Sequence, residues 1–239
     1  MKGLESLPTE SSEGPNASRG NIGYDYQNLE NIYNYFSIMI VKQSKYPLLC
    51  LPKFTVKYGK YFLRAGIVYD TVSCQYWLSP KIKSAIQKCS KKRFILCSLQ
   101  LLTTSISHCN MLLIDTKKKT IERFEPMGWT LGYTKDVDEF LKHVVRDKFG
   151  LSKYKYLPPE ELSEKIGIQT KGDSYNGMCV TICMLYLHLR VKNPDTKAKR
   201  IVRNLTSLPL KQLKTIILRY AKYIEKTLKL ESKYVNSVK

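Results

Sequence analysis

No uninterrupted apolar stretch approaches the ~18–20 residues that a bilayer-spanning helix needs. Residues 1–21 are polar and hold nothing like the apolar centre of a secretory signal. No internal repeat, coiled-coil heptad or collagen period is present. The seven cysteines, Cys50, Cys74, Cys89, Cys97, Cys109, Cys179 and Cys183, form no Cys-x-x-Cys pair and no regular framework. With no export signal, the expectation is reduced thiols in an intracellular compartment, the host cytoplasm or a virion if the chain is viral. Histidine is scarce, at three, and acids number 20 against 40 Lys+Arg. That leaves a formal charge of +20, which excludes an acidic solvating protein and makes a polyanion an expected neighbour.

What is present suits a folded enzyme or binding module. The 239 residues are 43% hydrophobic and include 17 Tyr, enough to bury a core. Residues 1–22 read as a polar tail with a net charge of −1, and 23–239 as one domain. The basic excess therefore lies in the folded part. Residues 190–239 carry 14 Lys+Arg against Asp195, Glu225 and Glu231, a net of +11.

Periodicity predicts a helix over 26–41, irregular β structure over 47–79, a short helix over 81–91 and a strand over 93–102. His108 to Asp115 reads as the next strand and Thr120 to Glu125 as a third, joined by a lysine turn. The pattern then returns to helix over 136–148, closed by Gly150, with a short strand at 154–157 and a loop over 160–177. Apolar residues from Met178 to Val191 make a buried helix. A further helix spans 195–204, and Leu210, Leu213, Ile217, Tyr220, Ile224 and Leu228 trace one face of a last one. The sum is an α+β domain, a central mostly antiparallel sheet flanked by helices.

Three residues converge on chemistry. If Lys117 and Lys118 form a two-residue turn, Thr116 faces Lys119 and Asn110 faces Glu125. His108 then lies on the same face as Asn110, diagonal to Glu125, at the ~7–8 Å that long side chains bridge. A one-residue slip would send the pair to opposite faces. Cys179 stands where a Gly-bearing loop enters a helix, and a thiol in a first helical turn meets partial positive charge that favours thiolate. Cysteine, histidine and an orienting carboxylate are the parts of a thiol-nucleophile triad. Helix-start N–H groups and a side-chain amide such as Gln169 would receive the oxyanion. The bland readings stay open: a strand histidine, a core cysteine like Cys183 one turn on, and a solvated glutamate. So does a metal reading of His108, Cys109, Cys179 and Cys183, although no short ligand spacing is present. Nothing calls for a cofactor.

The order His108 (HCNMLLID), Glu125 (ERFEPMG), Gln169 (GIQTKG), Cys179 (NGMCVTIC) resembles the ubiquitin-like-protein protease superfamily, the adenovirus-type and SUMO-protease-like cysteine proteases. The strings around them look like uncharacterised proteins of large DNA viruses. The resemblance covers residues 93–195. It implies a papain-like cysteine-protease fold with Cys179 as nucleophile, His108 as base and acid, Glu125 as orienter and Gln169 as oxyanion donor. The implied substrate is a polypeptide or ubiquitin-like protein. Departures are Cys109 after the histidine, Glu in place of Asp as the acid, and Met178-Cys179-Val180 around the nucleophile. A proteolytically silent binding module and a thiol acyltransferase share the same outline. The basic residues beyond 194 add a possible contact to nucleic acid or an anionic surface through the last helix, whose Lys211, Lys214, Lys222, Lys226 and Lys229 lie off the apolar stripe.

Overall fold

The computed structural model describes residues 29–43, 46–104, 107–172 and 178–235. The expected tail at 1–22 lies outside them. The chain opens with α1 (Leu29–Gln43), then the short strands β1 (Leu49–Cys50), β2 (Val56–Tyr58), β3 (Tyr61–Leu63), β4 (Ile67–Asp70) and β5 (Tyr76–Leu78), and the helix α2 (Ile82–Lys88). The long strands β6 (Phe94–Leu102) and β7 (Ser107–Asp115) follow, with β8 (Thr120–Phe124). A continuous helical stretch comes next, α3 (Thr134–Phe140), a π-helical turn at Leu141–Val145 and α4 (Arg146–Lys148), ended by Gly150 at φ +72°. The strand β9 (Lys155–Leu157) leads to α5 (Pro159–Leu162), α6 (Ile168–Gly172), α7 (Cys179–Lys192), α8 (Ala198–Thr206) and α9 (Leu210–Val235).

The main sheet runs β5-β4-β6-β7-β8-β9, with β1 also on β6. Its centre is the antiparallel meander β6-β7-β8, while β1 and β4 join β6 in parallel and β9 joins β8 in parallel. The strands β6 and β7 are buried almost throughout rather than alternately, as befits strands covered on both faces. The helix α7 is buried from Cys179 to Val191 on every side, so it is the central helix of the molecule. The helix α9 instead buries a stripe, Leu213, Ile217, Tyr220, Ala221 and Ile224, and the lysines Lys211 and Lys226 project into water. Buried residues from Ile32 to Ile224 form one core.

Two expectations are corrected. Residues 160–172 are not all loop: the helices α5 and α6, each too short to reveal a 3.6-residue period, flank an irregular stretch at 163–167. Residues 173–177 lie outside the described residues. The thiols are not all reduced either. Cys50 ends β1 and Cys89 caps α2 just before β6, and since β1 lies on β6 their Cα atoms stand 5.7 Å apart, joined by a disulfide across a separation of 39 residues.

Candidate active site

The hairpin register is the one the lysine turn predicts. Asp115 pairs with Thr120 and Met111 with Phe124, so Asn110 comes opposite Glu125. Asp115 sets this register locally, because its Oδ1 accepts the N–H groups of Lys117 (3.1 Å) and Lys118 (3.0 Å) and folds the turn around its own side chain. His108 then reaches diagonally, and its Nε2 lies 2.6 Å from Glu125 Oε1. Both residues are buried, His108 at 2% exposure and Glu125 at 0%.

Every lone-pair direction of that carboxylate is used. Oε1 also accepts the Met127 N–H at 2.9 Å, and Oε2 accepts from Asn110 Nδ2 at 2.7 Å and from the Tyr133 hydroxyl at 3.5 Å. Asn110 is fixed in turn: its Oδ1 accepts from Arg123 Nη1 at 3.0 Å, and Arg123 Nε donates to Asp138 Oδ1 at 2.9 Å. A buried relay thus runs His108–Glu125–Asn110–Arg123–Asp138 along one face of β7 and β8. Burial alone would raise the Glu125 carboxyl, but His108, Arg123 and the Met127 N–H hold it below its ordinary range. Burial alone would lower His108, but the Glu125 carboxylate and the Cys179 sulfur, which shares a hydrogen bond with the ring, push it up to about 10. The ring is therefore an imidazolium at neutral pH.

Cys179 is the first residue of α7, after Met178 at the N-cap. Cys179 is buried at 8% exposure, whereas Cys183 one turn later is sealed at 0% and donates to the Cys109 carbonyl at 3.5 Å. Burial pushes the Cys183 thiol well up, as a small core residue requires. The structure therefore brings His108, Glu125 and Cys179 together and leaves Cys183 out. Among the described residues no group of three or more His, Cys, Asp or Glu side chains could hold a metal ion.

Gln169 lies on α6 rather than in a loop, and its backbone is tied to the end of the acid strand. Its N–H donates to the Pro126 carbonyl at 2.8 Å, and Gly167 N–H donates to Met127 O at 2.9 Å. The two segments touch backbone to backbone at Gly128, whose φ is +101°. A Cβ on Gly167 would stand 2.3 Å from the Gly128 nitrogen and from the Pro126 oxygen. Gln169 is thereby anchored one residue from Glu125, although residues 173–177, which lead on to Cys179, lie outside the described ones.

Sequence reasoning located Asn110 but assigned it no role, and it missed Arg123, Tyr133 and Asp138. The first two stand in the motifs themselves, since His-x-Asn puts the amide on the histidine's face and Arg-x-Glu puts the guanidinium on the carboxylate's face. Tyr133 and Asp138 carried no local signal.

No known protein-family profile matches the chain. Among curated proteins it is 30% identical over 140 residues to the putative ankyrin repeat protein L371 of Acanthamoeba polyphaga mimivirus, covering 48% of this chain and 18% of that protein. Among solved structures, the effector ChlaDUB1 of Chlamydia trachomatis superposes at a TM-score of 0.44 and 9% identity over 60% of this chain and 59% of that one. Chlamydia trachomatis Cdu1, in a structure bound to ubiquitin, gives 0.42 and 11% over 62% and 66%. The Legionella pneumophila effector RavZ gives 0.41 and 13% over 83% and 64%. The chain thus spans under a fifth of its curated relative and about two thirds or less of these structural neighbours. Partial likeness of this degree leaves the function to be read from the site's own residues.

Proposed function

We propose that the protein is a thiol hydrolase, a cysteine peptidase or isopeptidase, with Cys179 as nucleophile, His108 as proton shuttle, Glu125 as orienter and Gln169 as oxyanion donor. The observation that carries this reading is the 2.6 Å contact of His108 Nε2 with a fully buried Glu125, with the helix-leading Cys179 hydrogen-bonded to the same ring. Glu125 occupies Nε2, which fixes the tautomer and turns Nδ1 toward the thiol and substrate.

The Cys179 sulfur attacks the scissile carbonyl carbon, and the carbonyl electron pair moves to oxygen. N–H groups at the start of α7 and the Gln169 amide receive that oxyanion. Collapse expels the amine, which takes the imidazolium proton. Water then gives a proton to neutral His108 and adds to the thioester. The second collapse returns the sulfur as thiolate beside an imidazolium. The net change is water added across one amide. The resemblance in residue order makes the C-terminal tail of a ubiquitin-like protein the first substrate to assay, and Cdu1, seen bound to ubiquitin, is consistent with that choice.

The test is a ubiquitin or SUMO probe with a C-terminal electrophile, with peptide mapping of the adduct. Adduct at Cys179 and not Cys183, slowed by His108→Ala, is expected. Slow, equal modification of several thiols would leave only a binding module. Acetyl transfer from acetyl-coenzyme A to lysine would mark a thiol acyltransferase built on the same three side chains.

A further inference from the structure

The molecule is polarised along α7, β7 and β8. His108, Glu125 and Cys179 stand at one end of these elements. At the other end the lysine turn after β7, the start of β6 and the C-terminus of α7 meet, about 20 Å away along a helix of 14 residues. This far end holds a cavity of about 680 Å³ lined by Lys192, Asn193, Pro194, Asp195, Thr196, Lys197 and Arg200. Its walls are polar, and Pro194 is the one apolar residue among them.

The floor of this cavity is rigid because buried charges hold it from beneath. Pro194 O accepts from Arg93 Nη2 at 2.7 Å and from Arg190 Nη1 at 3.1 Å. Arg190 is itself clamped by Glu122 through bonds of 2.8 and 3.0 Å, and Asp115 stands 3.6 Å from both guanidiniums. The one acid in the cavity, Asp195, is already held by Arg93 Nη1 at 2.9 Å. Lys192, Lys197 and Arg200 have no acidic partner among the described residues, and the Asp195 carboxyl is held below its ordinary range chiefly by Arg93, with Lys117 and Lys118 adding to it. The first turn of α8 adds Lys199 and Arg200 with no acid and no side-chain cap. Three cations, Lys192, Lys197 and Arg200, therefore line a fixed concave floor with one occupied carboxylate between them, and Lys117, Lys118 and Lys199 add charge beside it.

We propose that this cavity docks the phosphate backbone of a nucleic acid, independently of the thiol site. The concave polar shape and the lack of an apolar side chain to insert disfavour a bilayer surface. Spacing of the cations over two loops and a helix start fits successive phosphates better than one ion. It also relocates the anion contact, which the sequence had suggested for α9. That helix packs its stripe on the core.

The experiment is fluorescence anisotropy of the full chain with a labelled 20-nucleotide single strand and the matching duplex, over a salt series. Lys197→Glu/Arg200→Glu is compared with Lys211→Glu/Lys226→Glu, which changes net charge equally on α9. Expected is at least a tenfold loss of affinity for the first pair, with a log–log salt slope shallower by about 1.4–1.8 for two phosphate contacts, and little change for the second. Labelling of Cys179 should be the same in both. Equal losses in the two pairs would overturn the proposal, because net charge would then suffice. So would binding of a poly-glutamate peptide with the same salt slope, or Arg200-dependent binding confined to phosphatidylserine vesicles.

Discussion

Glu125→Gln removes one charge from the site while keeping its shape, and the consequence for His108 can be worked through. The ring titrates at about 10 rather than 6.5. At about 1.4 kcal/mol per pH unit this rise represents on the order of 5 kcal/mol favouring the imidazolium. Burial opposes the rise, so the Glu125 charge and the Cys179 sulfur must supply more than the net. Without the carboxylate charge, burial dominates and the ring should titrate at or below 6.5. The sign for folding follows. In the parent the His108 contribution is fully present below pH 6.5 and lost as pH rises through about 10; in the variant that window closes, and stability falls instead at acid pH. The glutamine also brings two hydrogens where Asn110 Nδ2 and the Tyr133 hydroxyl already donate, costing about 1–3 kcal/mol more. The assay is an NMR titration of the imidazole C–H signals, with His108→Ala assigning the signal among three histidines, alongside the rate of Cys179 carbamidomethylation at pH 7. The labelling rate should fall at least tenfold, as loss of an activating acid–base partner does. A parent His108 midpoint near 6.5, or one that Glu125→Gln leaves in place, would refute the ion-pair reading of the site.

Four further outcomes are expected. Asn110→Ala frees both Glu125 Oε2 and Arg123 Nη1 from a bond each, so steady-state assays should show kcat reduced with KM nearly unchanged and a displaced pH profile. Arg190→Met leaves the buried Glu122 carboxylate with the Tyr186 hydroxyl but no guanidinium, and takes from Asp115 one of its two; urea unfolding should report a loss of about 3–5 kcal/mol, most of it recovered in a double change that also neutralises Glu122. Reduction of the Cys50–Cys89 disulfide opens a separation of 39 residues; by loop entropy it should cost up to about 4 kcal/mol, seen as a lower Tm in dithiothreitol that Cys50→Ser abolishes. Gly167→Ala forces apart two backbones already in contact, so it should both lower Tm and slow Cys179 labelling by displacing Gln169, whereas Gly132→Ala, with open space around it, should do neither.

How much of this was legible in the sequence depends on sequence distance. The β7–β8 register could be read because Asp115 and the lysine turn fix it within six residues, and the position of His108 against Glu125 came with it. The helices α1, α3 and α9 followed from their period, α7 from its continuous apolar run, α8 from the Pro194 before it, and the meander β6-β7-β8 from adjacent β-leaning segments with a short turn between the last two. The parallel pairings of β4 and β1 with β6 could not, since nothing local sets them. Nor could the disulfide, because Cys50 and Cys89 approach only once β1 lies on β6. The helices α5 and α6 are a single turn or little more, below any period. Gln169 was named as an oxyanion donor from residue order alone; its backbone tie to the Pro126–Gly128 segment is something no spacing rule reveals.

The alternation along β8 explains why a strand so rich in charge is buried at all. Glu122 and Phe124 point to α7, where Tyr186 stacks on Phe124 with ring centroids 4.0 Å apart and Arg190 clamps Glu122. Arg123 and Glu125 point the other way, to Asn110, Asp138 and His108. Each charge meets an opposite one on its own face, so the desolvation cost is offset pair by pair. An apolar strand would pack more cheaply, yet it could neither lock α7 in one angular setting against the sheet nor hold a carboxylate beside a histidine. Rotating α7 by one residue would break the Glu122–Arg190 pair at one end and carry Cys179 off the imidazole at the other. The buried ion pair far from the site thus helps to hold the helix that carries the thiol. Arg190→Lys, which keeps the charge but loses the bidentate grip, should slow Cys179 labelling more than it lowers Tm.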